Sequence, residues 1–108
     1  MQATNLSWSQ TEHNIAKSAF DKAYKRETDF ILQAVRQEAS KITELQDLWQ
    51  MNDYLSARRH DLEGKYDFDE SSLVFTFANL IKEEWLKIEE LEGLAAEKLA
   101  KISMLSKM

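Results

Sequence analysis

Proline is absent from this chain, and glycine occurs only twice in 108 residues. Tight turns lean on these two residue types, because they supply backbone angles that other residues resist. A β-rich or loop-rich fold of this length needs many such turns. The chain is therefore expected to be all-α, built from long helices, with residues 1–108 forming a single domain.

The same scarcity removes several chemistries. Without cysteine there is no disulfide, no thiolate nucleophile and no metal site built on sulfur. Fourteen basic residues stand against nineteen acidic ones, a net charge of -5. A phosphate-backbone binder needs clustered Lys and Arg, so nucleic acid is not an expected partner. The polar N-terminus, Met1 to Ser9, lacks a basic region followed by an apolar stretch, so no secretory signal is expected. The longest apolar stretch, Leu73 to Ile81, contains Thr76 and Asn79. It falls short of the ~18–20 residues that cross a bilayer, so no membrane insertion is expected.

Four helices are expected. Ser9-Gln10-Thr11-Glu12 fits the capping box that opens a helix. Ala16, Phe20, Ala23, Tyr24, Phe30, Ile31, Ala34 and Val35 then recur at helical spacing, which places the first helix at 9–39. Such a helix is roughly 45 Å long. A compact globule of this size has a radius of gyration of only about 13 Å, so the molecule must be elongated. The second helix is expected at 43–63, capped by Thr43 and ended by Gly64 in the left-handed position. Asp69 is expected to cap a third helix at 69–87, with Phe68 stapled to Leu73 and a stripe of Val74, Phe77, Ala78, Ile81 and Trp85. The fourth, at 91–106, carries Leu91, Ala95, Leu99, Ile102 and Leu105.

The second helix is the most informative. Leu45, Leu48, Asn52, Leu55, Arg59 and Leu62 alternate by three and four, a coiled-coil-like seam with two polar positions. Trp49, Asn52, Asp53, Ser56, Arg59 and His60 lie along one side of it. Asp53 and Arg59 are six apart, about 240° around the helix, and do not easily pair within it. In an antiparallel copy they meet: a two-fold axis at Ser56 sets residue 53 opposite residue 59 of the other chain. Isologous contacts of this kind make a dimer, and polar residues in an apolar seam fix its register. The expectation is an elongated antiparallel homodimer through the second helix, with Trp49, Asn52, Asp53, Ser56 and Arg59 at its interface. In a monomeric bundle, by contrast, Asp53 and Arg59 are simply solvated.

Enzymatic arrangements are missing. Asp53, Ser56 and His60 share a face, but a triad places His between Ser and Asp. Here Ser lies between, and Asp53 and His60 are about 10 Å apart along the axis. His13 and His60, the only histidines, lack the spacing of a helical metal site. No enzyme, cofactor or metal is expected. Phe75 points away from the centre of the third helix's stripe. It either packs on the fourth helix or serves as an exposed aromatic anchor.

These residues resemble a known family. Asp47-Leu48-Trp49-Gln50, Asp53, Leu55-Ser56-Ala57-Arg58-Arg59-His60 and Gly64-Lys65-Tyr66-Asp67 are similar to the signature of the fluorescence recovery proteins. Trp8-Ser9-Gln10, Ala23-Tyr24, Arg26-Glu27, Phe75-Thr76-Phe77-Ala78, Trp85-Leu86 and Leu91-Glu92-Gly93-Leu94 extend the resemblance over nearly the whole chain. It implies a small helical dimer of cyanobacteria that binds the C-terminal domain of the activated orange carotenoid protein, the light-driven quencher of the phycobilisome. Such a regulator speeds the partner's return from red to orange form and its release from the antenna. The resemblance also implies a cytoplasmic location, peripheral at the thylakoid surface through the phycobilisome. It sets Trp49, Asp53 and Arg59 on a dimer face, and Phe75 and Lys101 on a partner-binding head. Two places depart from the pattern: Asn52 stands where the family is expected to carry His, and the loop Asp67-Phe68-Asp69-Glu70 is acidic where a basic or aromatic one is expected. The rival class is a helical dimer acting as an adaptor for a different protein partner.

Overall fold

The computed structural model of the chain describes residues 7–108. Most of the Met1–Ser9 segment, expected to carry no secretory signal, lies outside them. The described residues form four α-helices: α1 (Gln10–Ala39), α2 (Leu45–Lys65), α3 (Leu73–Lys82) and α4 (Ala96–Ser106), with a 3-10 turn at Ile88–Leu91. The capping box at the start of α1 is formed from both sides. Ser9 Oγ accepts from the Glu12 amide, and a Glu12 carboxylate oxygen accepts from the Ser9 amide, each at 3.1 Å. At 30 residues, α1 is about 45 Å long. It sets the shape of the molecule, which measures 56 × 23 × 23 Å with a radius of gyration of 17.0 Å.

The two ends of α1 are treated differently. Near its N-terminus, α3, the 3-10 turn and α4 pack on Ala16, Ala19 and Ala23. Leu73, Phe77, Leu80, Leu91 and Ile102 are fully buried there and complete one hydrophobic core. Toward its C-terminus, α1 has α2 beside it, running antiparallel, and Lys65 is the one buried residue of α2. The first region is called the head below, the second the stalk.

Several boundaries differ from expectation, each for a local reason. The α2 N-terminal box sits one residue later than Thr43. The Asp47 carboxylate accepts from the amides of Thr43 (3.1 Å) and Glu44 (3.2 Å), which holds it below its usual carboxylate value. Gly64 does not end α2 in a left-handed turn: it lies inside the helix, and Gly93 is the only glycine of the chain at positive φ. The helix ends instead at Tyr66 (φ -92°, ψ 82°), just after Lys65 has turned inward. Asp69 does not cap α3. It closes a turn in which its carbonyl accepts from the Ser72 amide at 2.8 Å and its carboxylate from Ser71 Oγ at 2.7 Å, and Ser72 occupies the cap. Phe68 packs edge-on against Phe20 and His13, 5.1 and 5.2 Å between ring centres.

The end of α3 at Lys82, rather than near residue 87, has no sequence mark. Trp85 N–H reaches back to Leu80 O and Glu84 N–H to Ile81 O, both at 2.9 Å, with Glu84 at φ +69°. This is a Schellman ending without its usual glycine. A left-handed Glu costs about 1–2 kcal/mol, which the buried neighbours of the turn must offset. The connection to α4 then needs Gly93 at φ +109°, where a Cβ would collide with the Ile15 side chain.

Candidate functional site

The expected dimer-face residues all project from the stalk. Trp49, Asn52, Asp53, Ser56 and Arg59 are exposed, and their spacing by three and four keeps them on one side of α2. Leu45, Leu48, Tyr54 and Leu55 are exposed with them; Trp49 is 55 % exposed and Leu45 61 %. Among the described residues Arg59 Nε donates to Glu63 alone, at 3.2 Å, a solvated pair of small energetic value. Where α2 passes the end of α1, a groove of about 390 Å³ opens between them, lined by Ala34, Val35, Ile42, Met51 and Tyr54 among others. A single chain thus leaves a contiguous apolar face studded with charges, the pattern of an interaction site rather than of ordinary surface.

On the head, the structure brings together the two residues expected to meet a partner. Phe75 of α3 is 46 % exposed, and Lys101 of α4 holds its ammonium 5.9 Å from the centre of the Phe75 ring. Phe75 thus combines features of both sequence-based alternatives: its ring is half-exposed, and it lies against a residue of α4. Its neighbours Val74, Thr76 and Phe77 are buried, so one turn of α3 both fills the core and presents an exposed aromatic.

Sequence reasoning missed the residues that join head to stalk. Glu27 follows Ala16, Ala19 and Ala23 on the buried side of α1 and is itself completely buried. Its Oε2 accepts from Arg58 Nη2 and Lys65 Nζ, and its Oε1 from Tyr66 Oη, all at 2.8 Å. Lys65 Nζ is shared with Glu83 at 2.7 Å and Asp61 at 3.0 Å. Burial alone would lower the Lys65 ammonium; its three carboxylate partners overcome that and raise it above its ordinary value. The Tyr66 hydroxyl is raised by burial and by the Glu27 carboxylate it donates to. The preceding residue of α1, Arg26, grips the other side of the head. Its guanidinium makes two bonds to the Glu90 carboxylate, 2.8 and 2.6 Å, and one to the Trp85 carbonyl at 3.1 Å. That contact holds Glu90 down at about 2.

A third tie fastens the N-terminal end of α4 to the start of α1. Glu12 accepts from the Ala95 amide (2.8 Å) and from the nearly buried Lys98 (3.0 Å). Burial opposes its ionisation, but these bonds and that of the Ser9 amide hold it at about 2. Lys98 also lies 4.8 Å from the centre of the Trp8 ring.

Chemically, the arrangement binds rather than reacts. Asp53, Ser56 and His60 are all exposed on α2, and none of them lines the groove between α1 and α2. Among the described residues no group of three His, Asp or Glu side chains is placed to hold a metal, and no helix is long and apolar enough to cross a membrane.

Comparison with known proteins agrees with this geometry. The family profile of the "photoprotection regulator fluorescence recovery protein" matches residues 8–106. The chain is 45 % identical to the fluorescence recovery protein of Synechocystis sp. PCC 6803 over 108 residues, covering all of this chain and 99 % of that protein. Among solved structures, the fluorescence recovery protein of Fremyella diplosiphon superimposes with a TM-score of 0.93 at 51 % identity, over 94 % of this chain and all of the other. The Synechocystis structure gives 0.92 at 47 % identity with the same coverage.

Proposed function

The chain belongs to the fluorescence recovery protein family of non-enzymatic photoprotection regulators, and on that premise we propose how its two faces are used. Two copies join through α2 in antiparallel register, with Asp53 of each opposite Arg59 of the other and Ser56 at the crossing. The heads then face outward and bind the C-terminal domain of the activated orange carotenoid protein through Phe75 and Lys101. Binding speeds the partner's return from red to orange form and its release from the phycobilisome, and places the protein at the thylakoid surface through that antenna without entering the membrane.

The observation that carries this reading is the exposure of the α2 face in a chain whose head core is already complete. Trp49, Leu48 and Leu55 have nothing else to bury against, and a second α2 offers matching charges and shape. Physics also constrains the regulator's role. A protein that bound the red form alone would trap it; acceleration requires tighter binding to the barrier region between the forms.

The deciding experiment mixes the purified protein with photoactivated orange carotenoid protein and follows the red-to-orange return in the dark. Acceleration is expected at substoichiometric amounts, since nothing is consumed. No acceleration at stoichiometric excess overturns the reading. A solution mass of one chain at micromolar concentration overturns the dimer.

A further inference from the structure

The junction at Glu27 lies between the two faces and touches neither. Arg58 and Arg59 are consecutive, yet they leave α2 in different directions: Arg59 outward on the exposed face, Arg58 inward to Glu27. Seven residues further on, Lys65 meets the same carboxylate and continues to Glu83, the residue that ends α3. One buried carboxylate on α1 thus fixes two points of α2 and, through a single ammonium, the end of the first head helix. The head core itself rests on Leu73, Phe77, Leu80, Leu91 and Ile102, and of the Glu27 partners Tyr66 packs against it.

Two features separate this cluster from ordinary packing. Lys65 has three N–H donors and meets three carboxylates, Glu27, Asp61 and Glu83, so its direction is fully determined. Buried ion pairs also contribute little net stability compared with well-packed apolar residues, and in some proteins their role is to fix a register.

We propose that Glu27 is a positioning residue: through Lys65 and Arg58 it sets the angle of the head relative to the α2 face. This rests on the reading of head and α2 face given above. A partner held at the head then meets the stalk in one defined pose. The pose governs how fast the partner crosses its barrier, whereas Phe75 and Lys101 govern how tightly it is held.

The test uses the double variant Glu27→Leu with Lys65→Met, which removes the ion pair but keeps the junction filled, beside the conservative Glu27→Asp. Because the chain lacks cysteine, two spin labels are readily introduced at exposed sites, Gln46→Cys on α2 and Glu97→Cys on the head. Labelled chains are diluted in unlabelled ones so that distances within one chain are read. The double variant leaves Arg58 and the Tyr66 hydroxyl without their acceptor, so it is expected to melt below the parent while keeping its helicity, and to show a shifted or broadened label distance. Its maximal rate of partner return falls about tenfold, within the usual range of coupling effects, while half-saturation stays within about twofold. Glu27→Asp restores part of the distance and of the rate. An unchanged distance distribution overturns the proposal, as does a changed distance with an unchanged maximal rate. If the double variant does not fold, Glu27→Asp alone decides by the same two measurements. If the parent itself fails to accelerate the partner, the functional reading falls, and the label distances still decide whether Glu27 sets the angle.

Discussion

Head and stalk are built from the same long helix and reach opposite outcomes. Along the head, α1 offers Ala16, Ala19 and Ala23, and three further elements close over them until Leu73, Phe77, Leu80 and Ile102 are fully buried. Along the stalk, α1 runs beside α2, and Leu45, Leu48, Trp49 and Leu55 stay at the surface. The head is complete within one chain and the stalk is not. Stability resides in the head, the proposed dimer contact lies in the stalk, and substitutions should sort accordingly.

The sharpest test of that division is Phe77→Ala. Phe77 is completely buried, so its truncation removes apolar contact and leaves a cavity, costing about 3–5 kcal/mol. Chemical denaturation followed by circular dichroism should show this loss at every protein concentration. A loss that vanished at high concentration would mean the head too depends on a second chain.

Arg59→Leu probes the other region. In one chain Arg59 makes a single solvated bond to Glu63, so helicity and the melting of the isolated chain should barely change. In the proposed dimer the same change strands Asp53 of the other copy at a covered interface. Association should weaken by about 2–5 kcal/mol, the usual cost of removing one partner from a buried charge pair. Sedimentation or light scattering should show chains separating. A loss of helicity with no change in mass would contradict the assignment.

How these regions were legible from sequence follows the same division. The start of α1, its length and the exposed seam of α2 are local patterns: Ser9 and Glu12 are three apart, and Trp49, Asp53 and Arg59 share a side by spacing alone. The junction is not local. Glu27 reads as one acidic residue interrupting an apolar stripe, and its partners Arg58, Lys65 and Tyr66 lie 31 to 39 positions away. The end of α3 was hidden for another reason. Its left-handed position holds Glu84, so the usual glycine signal is absent, while the glycine that did suggest an ending, Gly64, lies inside α2.

Acid should loosen the head from α1 before it dissolves the helices. Glu12 and Glu90 both tie α1 to the head, and both are held at about 2, below the ordinary 4.5. A lowered carboxylate contributes stability that is present above its unfolded value and lost as pH falls toward its folded one. Tryptophan fluorescence should therefore change between about pH 4.5 and 2, since Trp8 lies beside Lys98, which Glu12 holds, and Trp85 beside Arg26, which Glu90 holds. Far-ultraviolet helicity should fall less over the same range. Glu90→Gln should remove part of the transition, and an unchanged titration in that variant would place the effect elsewhere.

Phe75→Ala is expected to disturb the fold least, and for that reason says most about the head surface. The ring is 46 % exposed and touches Lys101 rather than the core, so its removal should cost about 1 kcal/mol or less of stability, within the range of surface substitutions and exposed cation–π contacts. If it anchors a partner, the same change removes an aromatic from the centre of that contact. Such anchors carry about 2 kcal/mol or more, a thirtyfold loss of affinity. The two numbers separate the roles. Titration against the C-terminal domain of the orange carotenoid protein should show the loss, with the mass in solution unchanged. A fall in melting temperature as large as that of Phe77→Ala, with binding intact, would return Phe75 to the core and leave the head without its aromatic anchor.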